Sequence, residues 1–223
     1  MSKVSSTSAI RTTQLEVRLS TSYLYDPADH SKKGLLVLHG FSDHARSVKK
    51  RLLGSEPVNG FHVFVPNGLF PSPTKRESEF REGYAWYFRD PSSGKQMTSP
   101  EFAAQSLIKL IQQVGLGHLE WTVLGFSQGG FFAPFLVRAG LLCQRIIGVG
   151  AAFRPEAYEG ISNVQVFGVH GEKDLIVPFE QAKTSFNSLK DKGLGRDFYA
   201  IPELAHTMND SGRKIIRDLL NSK

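Results

Sequence analysis

Residues 125–129 read Gly-Phe-Ser-Gln-Gly, a Gly-x-Ser-x-Gly pentapeptide between the apolar run 121–126 and a helical pattern over 128–139. A serine at the apex of such a strand-to-helix turn sits in a strained backbone conformation, and side chains two residues to either side would collide across it. Glycine at both flanks, Gly125 and Gly129, removes that collision. The hydroxyl of Ser127 is thereby pushed out of the sheet, and the N–H of Gln128 points to where an attacked acyl oxygen would gather charge. The chemistry this predicts is acyl transfer with Ser127 as the nucleophile.

A hydroxyl is a weak nucleophile at neutral pH, so Ser127 requires a base, and the base requires an acid that orients it. In an architecture built on this turn the chain order is serine, acid, histidine. Of the seven histidines, at 30, 39, 44, 62, 118, 170 and 206, only His170 and His206 follow Ser127. His170 ends the apolar run 164–169 and is expected to be a structural hydrogen-bonding residue. His206 stands in the loop before the final helix and is the expected base; its plainer reading is a surface loop histidine. Beyond the run at 164–169 lie two carboxylates, Glu172 and Asp174, at the strand end where open α/β sheets place their sites. Asp174 is favoured over Glu172. The run Leu175-Ile176-Val177 and Pro178 anchor its loop, and its shorter side chain holds an imidazole more rigidly.

A second oxyanion donor is expected from the loop after the first central strand, Leu38-His39-Gly40-Phe41, where the N–H of Phe41 joins that of Gln128. Each such donor contributes about 2.7–4 kcal/mol of transition-state stabilisation. His39 is expected to brace this loop rather than to act on substrate, while Asp43 reads as a helix cap as readily as anything else.

These side chains are far apart in the chain, and a sheet must gather them. Short, continuously apolar runs recur at 34–38, 61–65, 121–126, 145–151, 164–169 and 198–201. Runs apolar on both faces are what parallel strands between helices require. Helical patterns alternate with them. Residues 98–114 carry a capping box (Thr98, Glu101), Pro100 in the first turn and an apolar stripe at 103, 107, 110, 111 and 114. Further helices are predicted over 128–139, 178–190 and 210–220, the 178–190 segment stopped by Gly193. The alternation predicts right-handed βαβ units, hence an α/β fold with a mostly parallel central sheet and helices on both faces. Upstream, 13–25 reads as one strand, with 22–25 as an alternative hairpin partner. Residues 67–99 receive no assignment. They hold Phe80, Tyr84, Trp86, Tyr87 and Phe88, too many rings for a linker, and long ordered loops tend to be functional.

A chain of 223 residues favours one domain over two, with 1–12 as a flexible N-terminus. Its 40% hydrophobic and 22% charged residues exclude wholesale disorder, collagen-like repeats and coiled coil. No stretch approaches the roughly 18 apolar residues of a spanning helix, and the first dozen residues lack the apolar block of a secretory signal. The single cysteine, Cys143, leaves no intrachain disulfide, as in a reducing compartment, so a cytoplasmic protein is expected. The net charge of +6 raises nucleic acid or an anionic surface as a partner. The one basic cluster, Arg46, Lys49, Lys50 and Arg51, lacks interleaved aromatics, zinc spacing or an RNA-binding signature and reads as a solvated helix face. Nucleic acid is therefore not expected, while transient membrane-surface contact is allowed. No Gly-x-Gly-x-x-Gly or Walker pattern occurs, and neither cofactor nor metal is expected.

His39-Gly40-Phe41, Gly125-Phe126-Ser127-Gln128-Gly129-Gly130, His170-Gly171 with Asp174 and Val177-Pro178, and His206 together resemble the phospholipase/carboxylesterase family of α/β hydrolases, which includes the acyl-protein thioesterases. The resemblance covers roughly residues 34–222 and implies the α/β-hydrolase fold. Ala85-Trp86-Tyr87 is similar to an aromatic segment that lies near the acyl pocket in that family. Two positions depart from its pattern: Phe41-Ser42-Asp43 replaces the usual Leu-Gly-Asp, and Ala205 the usual glycine before the histidine. Haloalkane dehalogenases and epoxide hydrolases of this fold would need aspartate at 127, and dienelactone hydrolases cysteine. Only the ten residues 154–163 separate two predicted strands, so no large cap domain and an open cleft are expected. The expected function is a serine carboxylesterase acting through an acyl-enzyme on a small-molecule ester or thioester. Phe41 and Trp86 are assigned to the acyl-pocket wall, Trp86 reading equally well as core. Acyl-protein thioesterase or lysophospholipase activity is the alternative within enzymes. A non-catalytic ligand-binding protein on a hydrolase scaffold is the alternative outside them.

Overall fold

The structure, a computed structural model, describes residues 20–90 and 92–222. In chain order, β1 (Tyr23–Asp26), β2 (Lys33–Leu38), α1 (Ala45–Leu53) and β3 (His62–Pro66) come first. Four short strands follow: β4 (Phe70–Pro71), β5 (Thr74–Arg76), β6 (Glu79–Arg81) and β7 (Tyr84–Ala85). Then come α2 (Pro100–Gln113), β8 (Glu120–Phe126), α3 (Gln128–Arg138), β9 (Cys143–Val149) and a 3-10 turn, Pro155–Tyr158. The chain closes with β10 (Gln165–Gly171), α4 (Phe179–Asp191), β11 (Gly195–Ile201) and α5 (Asp210–Asn221). The main sheet runs β1-β3-β2-β8-β9-β10-β11, with β1 antiparallel to β3 and every other pair parallel. All six apolar runs become its parallel strands. Of the strand expected over 13–25, only its end forms a strand, β1, which pairs with β3; residues 20–22 are not in a strand, and residues 13–19, with the other arm of the hairpin alternative, lie outside the described residues.

Strand alternation divides the core in two. On β2, Leu36 and Leu38 face α2, α3 and α4, while Leu35 and Val37 face α1 and α5. Each central strand thus buries both faces, the arrangement its unbroken apolar sequence demands. Among the described residues no helix is long and apolar enough to cross a membrane.

Two helix starts differ from expectation. Ser99, not Thr98, caps α2: its hydroxyl accepts from the Phe102 N–H at 3.2 Å and lies 2.8 Å from Glu101. The Thr98 hydroxyl instead accepts from the Phe88 N–H at 2.7 Å, tying down the end of the 67–99 segment. At α1 the cap is His44, whose Nδ1 accepts from the Ser47 N–H, while Asp43 takes the His44 N–H and pairs with Arg51 at 2.5 Å. Arg51 and Lys49, the latter paired with Asp26, are thereby partly neutralised, which shrinks the basic face of α1. Burial alone would raise the Asp43 carboxyl, but Arg51 beside it holds it below the ordinary range.

The unassigned stretch forms two nested antiparallel pairs, β4 with β7 (Phe70 opposite Ala85) and β5 with β6 (Thr74 opposite Arg81). Its rings split accordingly. Trp86 and Tyr87 are buried, while Phe80 is exposed on the outer pair.

Candidate active site

Every residue expected to do chemistry follows the carboxyl end of a parallel strand: Phe41 after β2, Ser127 after β8, Asp174 after β10 and His206 after β11. Ser127 has φ 50° and ψ −116°, a region that costs an L-residue on the order of 1–3 kcal/mol. The turn is packed too closely for side chains at its flanks. A Cβ on Gly125 would lie 2.5 Å from the Gly129 backbone, and one on Gly129 would lie 2.5 Å from the Leu38 carbonyl oxygen. The Ser127 N–H donates to Val149 at 2.8 Å and its carbonyl accepts from Gly130 and Phe131, so the strained conformation is held from both sides. The Gln128 N–H is the first of α3, where no intrahelical acceptor exists and the helix dipole favours negative charge.

Asp174 is 3% exposed, and both of its oxygens are engaged. Oδ1 accepts from the N–H groups of Ile176 and Val177, each at 2.9 Å. Oδ2 lies 2.7 Å from Nδ1 of His206 and 3.4 Å from Nε2 of His170. Because a carboxylate only accepts, Nδ1 of His206 carries the hydrogen, which leaves the Nε2 lone pair free to take a proton. The imidazole packs against Phe126 at 4.9 Å between ring centres. Glu172, the rival acid, is exposed and makes no side-chain hydrogen bond among the described residues. His170 is buried behind Asp174 and donates from Nε2 to the Val177 carbonyl at 2.8 Å; burial pushes its pKa down.

Ser127 and His206 line one cleft of about 640 Å³, together with Phe41, Arg51, Arg81 and Ile176. The Ser127 hydroxyl makes no hydrogen bond among the described residues; bonds of this kind tighten when substrate closes the site. Phe41 is 54% exposed at the cleft wall and meets Phe88 edge-on at 5.9 Å. Trp86 is corrected. It is fully buried, stacks on Phe132 at 5.0 Å and on His39 at 4.8 Å, and gives its indole N–H to the His39 carbonyl at 2.9 Å. A ring enclosed in this way offers no wall to an acyl chain, so Trp86 takes its core reading. A second hollow, about 630 Å³, lies at the opposite rim of the sheet against Trp121, Cys143 and Arg145 and contains none of the chemistry-bearing residues.

The side chain of Gln128 has a role that the sequence did not disclose. Its amide clamps the 84–88 segment, with Oε1 accepting from the Trp86 N–H at 3.0 Å and Nε2 donating to the Tyr87 carbonyl at 2.8 Å. Only the adjacency of α3 to this distant loop reveals it.

The profile of the phospholipase/carboxylesterase family matches residues 21–222. The chain belongs to the phospholipase/carboxylesterase family. Its α/β-hydrolase fold recurs in three solved structures. Acyl-protein thioesterase 2 of Zea mays is 18% identical, with a TM-score of 0.67 over 90% of this chain and 98% of that one. Esterase PE8 is 26% identical, with a TM-score of 0.67 over 92% and 98%. A Bacillus cereus carboxylesterase is 12% identical, with a TM-score of 0.65 over 90% and 93%. An esterase of Aedes aegypti is 24% identical over 188 residues, 72% of this chain; the match spans 66% of that relative, just under two thirds of its length. Family membership places the chain among α/β hydrolases of the phospholipase/carboxylesterase type.

Proposed function

We propose that the protein is a serine carboxylesterase whose nucleophile is Ser127, whose base is His206 and whose orienting acid is Asp174. The observation that carries this reading is the 2.7 Å contact of a buried Asp174 with His206, next to a serine on a strained turn in the same cleft. His206 Nε2 takes the hydroxyl proton as Ser127 Oγ bonds to the acyl carbon, and Asp174 stabilises the imidazolium that forms. The N–H groups of Phe41 and Gln128 hold the developing oxyanion. Collapse of the tetrahedral species breaks the bond to the alcohol or thiol, which leaves with the proton from His206. Water, deprotonated by the same imidazole, then attacks the acyl-enzyme and releases the acid.

The substrate is a small-molecule ester or thioester, hydrolysed within one domain in the cytoplasm; the single, buried Cys143 suits a reducing compartment. The mixed lining of the cleft and the enclosure of Trp86 favour short acyl groups over long ones. Incubation with a fluorophosphonate should label Ser127 and no other residue, and Ser127→Ala should abolish both labelling and ester hydrolysis. Labelling elsewhere, or none in folded protein, overturns the mechanism. Across nitrophenyl esters kcat/KM should fall from two to eight acyl carbons. A flat profile would favour the acyl-protein thioesterase or lysophospholipase reading. Tight retention of a small ligand without turnover would favour a binding protein.

A further inference from the structure

His39 is fully buried, and both of its ring nitrogens are engaged. The Gly68 N–H donates to Nε2 at 2.8 Å, so Nε2 bears no hydrogen and the ring is the Nδ1–H tautomer. That Nδ1–H donates to the carbonyl oxygen of Gly40 at 2.7 Å. The Gly40 carbonyl and the Phe41 N–H are opposite ends of one planar trans peptide, so a group that fixes the direction of the oxygen also fixes the direction of the N–H. A bond that draws electron density onto the carbonyl oxygen also makes the N–H of the same amide a stronger donor.

We propose that His39 is a positioning residue of the oxyanion hole: by donating to the Gly40 carbonyl, it aims and polarises the Phe41 N–H that receives the acyl oxygen. The inference rests on the esterase reading and adds a role for a residue that never meets substrate. The imidazole is itself held in place. Trp86 stacks on it and donates to its carbonyl, and the Trp86 N–H in turn reaches the Gln128 side chain. One chain of hydrogen bonds, Gly68 to His39 to Trp86 to Gln128, buried but for its last link, therefore joins the two loops whose amides form the hole. Burial pushes the pKa of His39 down to about 4, so the one-donor tautomer persists across the neutral range.

Two amide substitutions separate aiming from simple bracing of the loop. In His39→Asn the amide nitrogen stands where Nδ1 stood and still donates to Gly40, but the side chain is too short for Gly68. In His39→Gln the amide reaches Gly68 and abandons Gly40. The expected result is a kcat within about threefold of wild type for His39→Asn, and a fall of about 10²-fold at nearly constant KM for His39→Gln, the scale of a lost oxyanion donor. The Phe41 amide resonance, read in protein labelled with ¹⁵N-phenylalanine, should shift in His39→Gln and stay in place in His39→Asn. Equal losses in both variants, or a shifted Phe41 resonance with unchanged kcat, overturns the proposal. Should either variant fail to fold, ¹⁵N-histidine spectra of the wild type decide: a hydrogen on Nε2 of His39 refutes it. Fluorophosphonate labelling of Ser127 in the wild type is scored separately, so loss of this proposal and loss of the esterase reading are distinguishable.

Discussion

Replacing Gly171 by alanine perturbs the geometry of the site without removing any group assigned to the chemistry. Gly171 closes β10 three residues before Asp174 and packs directly against the loop that carries His206. A Cβ there would stand 2.1 Å from the Leu204 carbonyl oxygen and 2.9 Å from that of Ala205. Real contacts of this kind do not fall below 3.0 Å, so the Leu204 carbonyl must retreat by about 0.9 Å. Backbone cannot rotate away as a side chain would, and this carbonyl is also tied to the Lys173 N–H at 2.9 Å. Carried two residues along, a retreat of that size stretches the 2.7 Å contact of His206 with Asp174 to about 3.6 Å, beyond useful hydrogen bonding. Misplacement by about 1 Å costs on the order of 10²-fold in rate, or about 2.7 kcal/mol of transition-state stabilisation. Overpacking should lower stability by a further ~1–3 kcal/mol. Initial rates on nitrophenyl acetate, with urea unfolding of the same preparations, measure both effects. A cooperatively folding Gly171→Ala protein with kcat/KM within threefold of wild type would refute the reasoning.

Asp174→Asn keeps an acceptor for the Ile176 and Val177 N–H groups but presents no carboxylate to His206; kcat should fall by about 10⁴-fold with little change in Tm. The pKa of His39 is about 4 when folded against 6.5 when free, so the unfolded chain takes up the proton first. The stability this residue contributes is complete above pH 6.5 and is lost as the pH falls through 4, amounting to about 3 kcal/mol. Urea unfolding at pH 7 and pH 4 should show that loss in wild type and a correspondingly smaller one in His39→Asn, while His170 and Asp43, also depressed, act alike in both proteins. Trp86→Phe leaves the His39 carbonyl without its indole donor and should cost about 1–3 kcal/mol in denaturant unfolding. Because the ring lies outside the cleft, KM for a short ester should stay within twofold; a large KM increase would return Trp86 to the acyl wall.

The inner strands of the main sheet, β2, β3, β8, β9 and β10, were readable because each had to be apolar on both faces, a pattern that survives without tertiary information. Residues 67–99 were not readable. β4 to β7 are only two or three residues long, and their pairing depends on what they rest against. Thr98 and Ser99 show the same limit on a small scale. Either could cap α2 by local rules, and the Phe88 N–H, which lies in a segment ten residues away, decides between them. Trp86 was ambiguous for a related reason: an aromatic side chain carries no mark of whether water or protein will surround it.

Amino-acid order by itself determined the parallel strands, the strained serine turn and the short roster of groups able to act there, because glycine spacing, unbroken apolar runs and chain order are local or one-dimensional properties. The sequence favoured Asp174 over Glu172, and only the tertiary structure brings its carboxylate within 2.7 Å of His206. The tertiary structure also decided that Trp86 is enclosed in the core, and that His39 Nδ1 meets the Gly40 carbonyl. Those outcomes depend on directions and distances between segments tens of residues apart, which are settled only when the two halves of the core pack against the sheet.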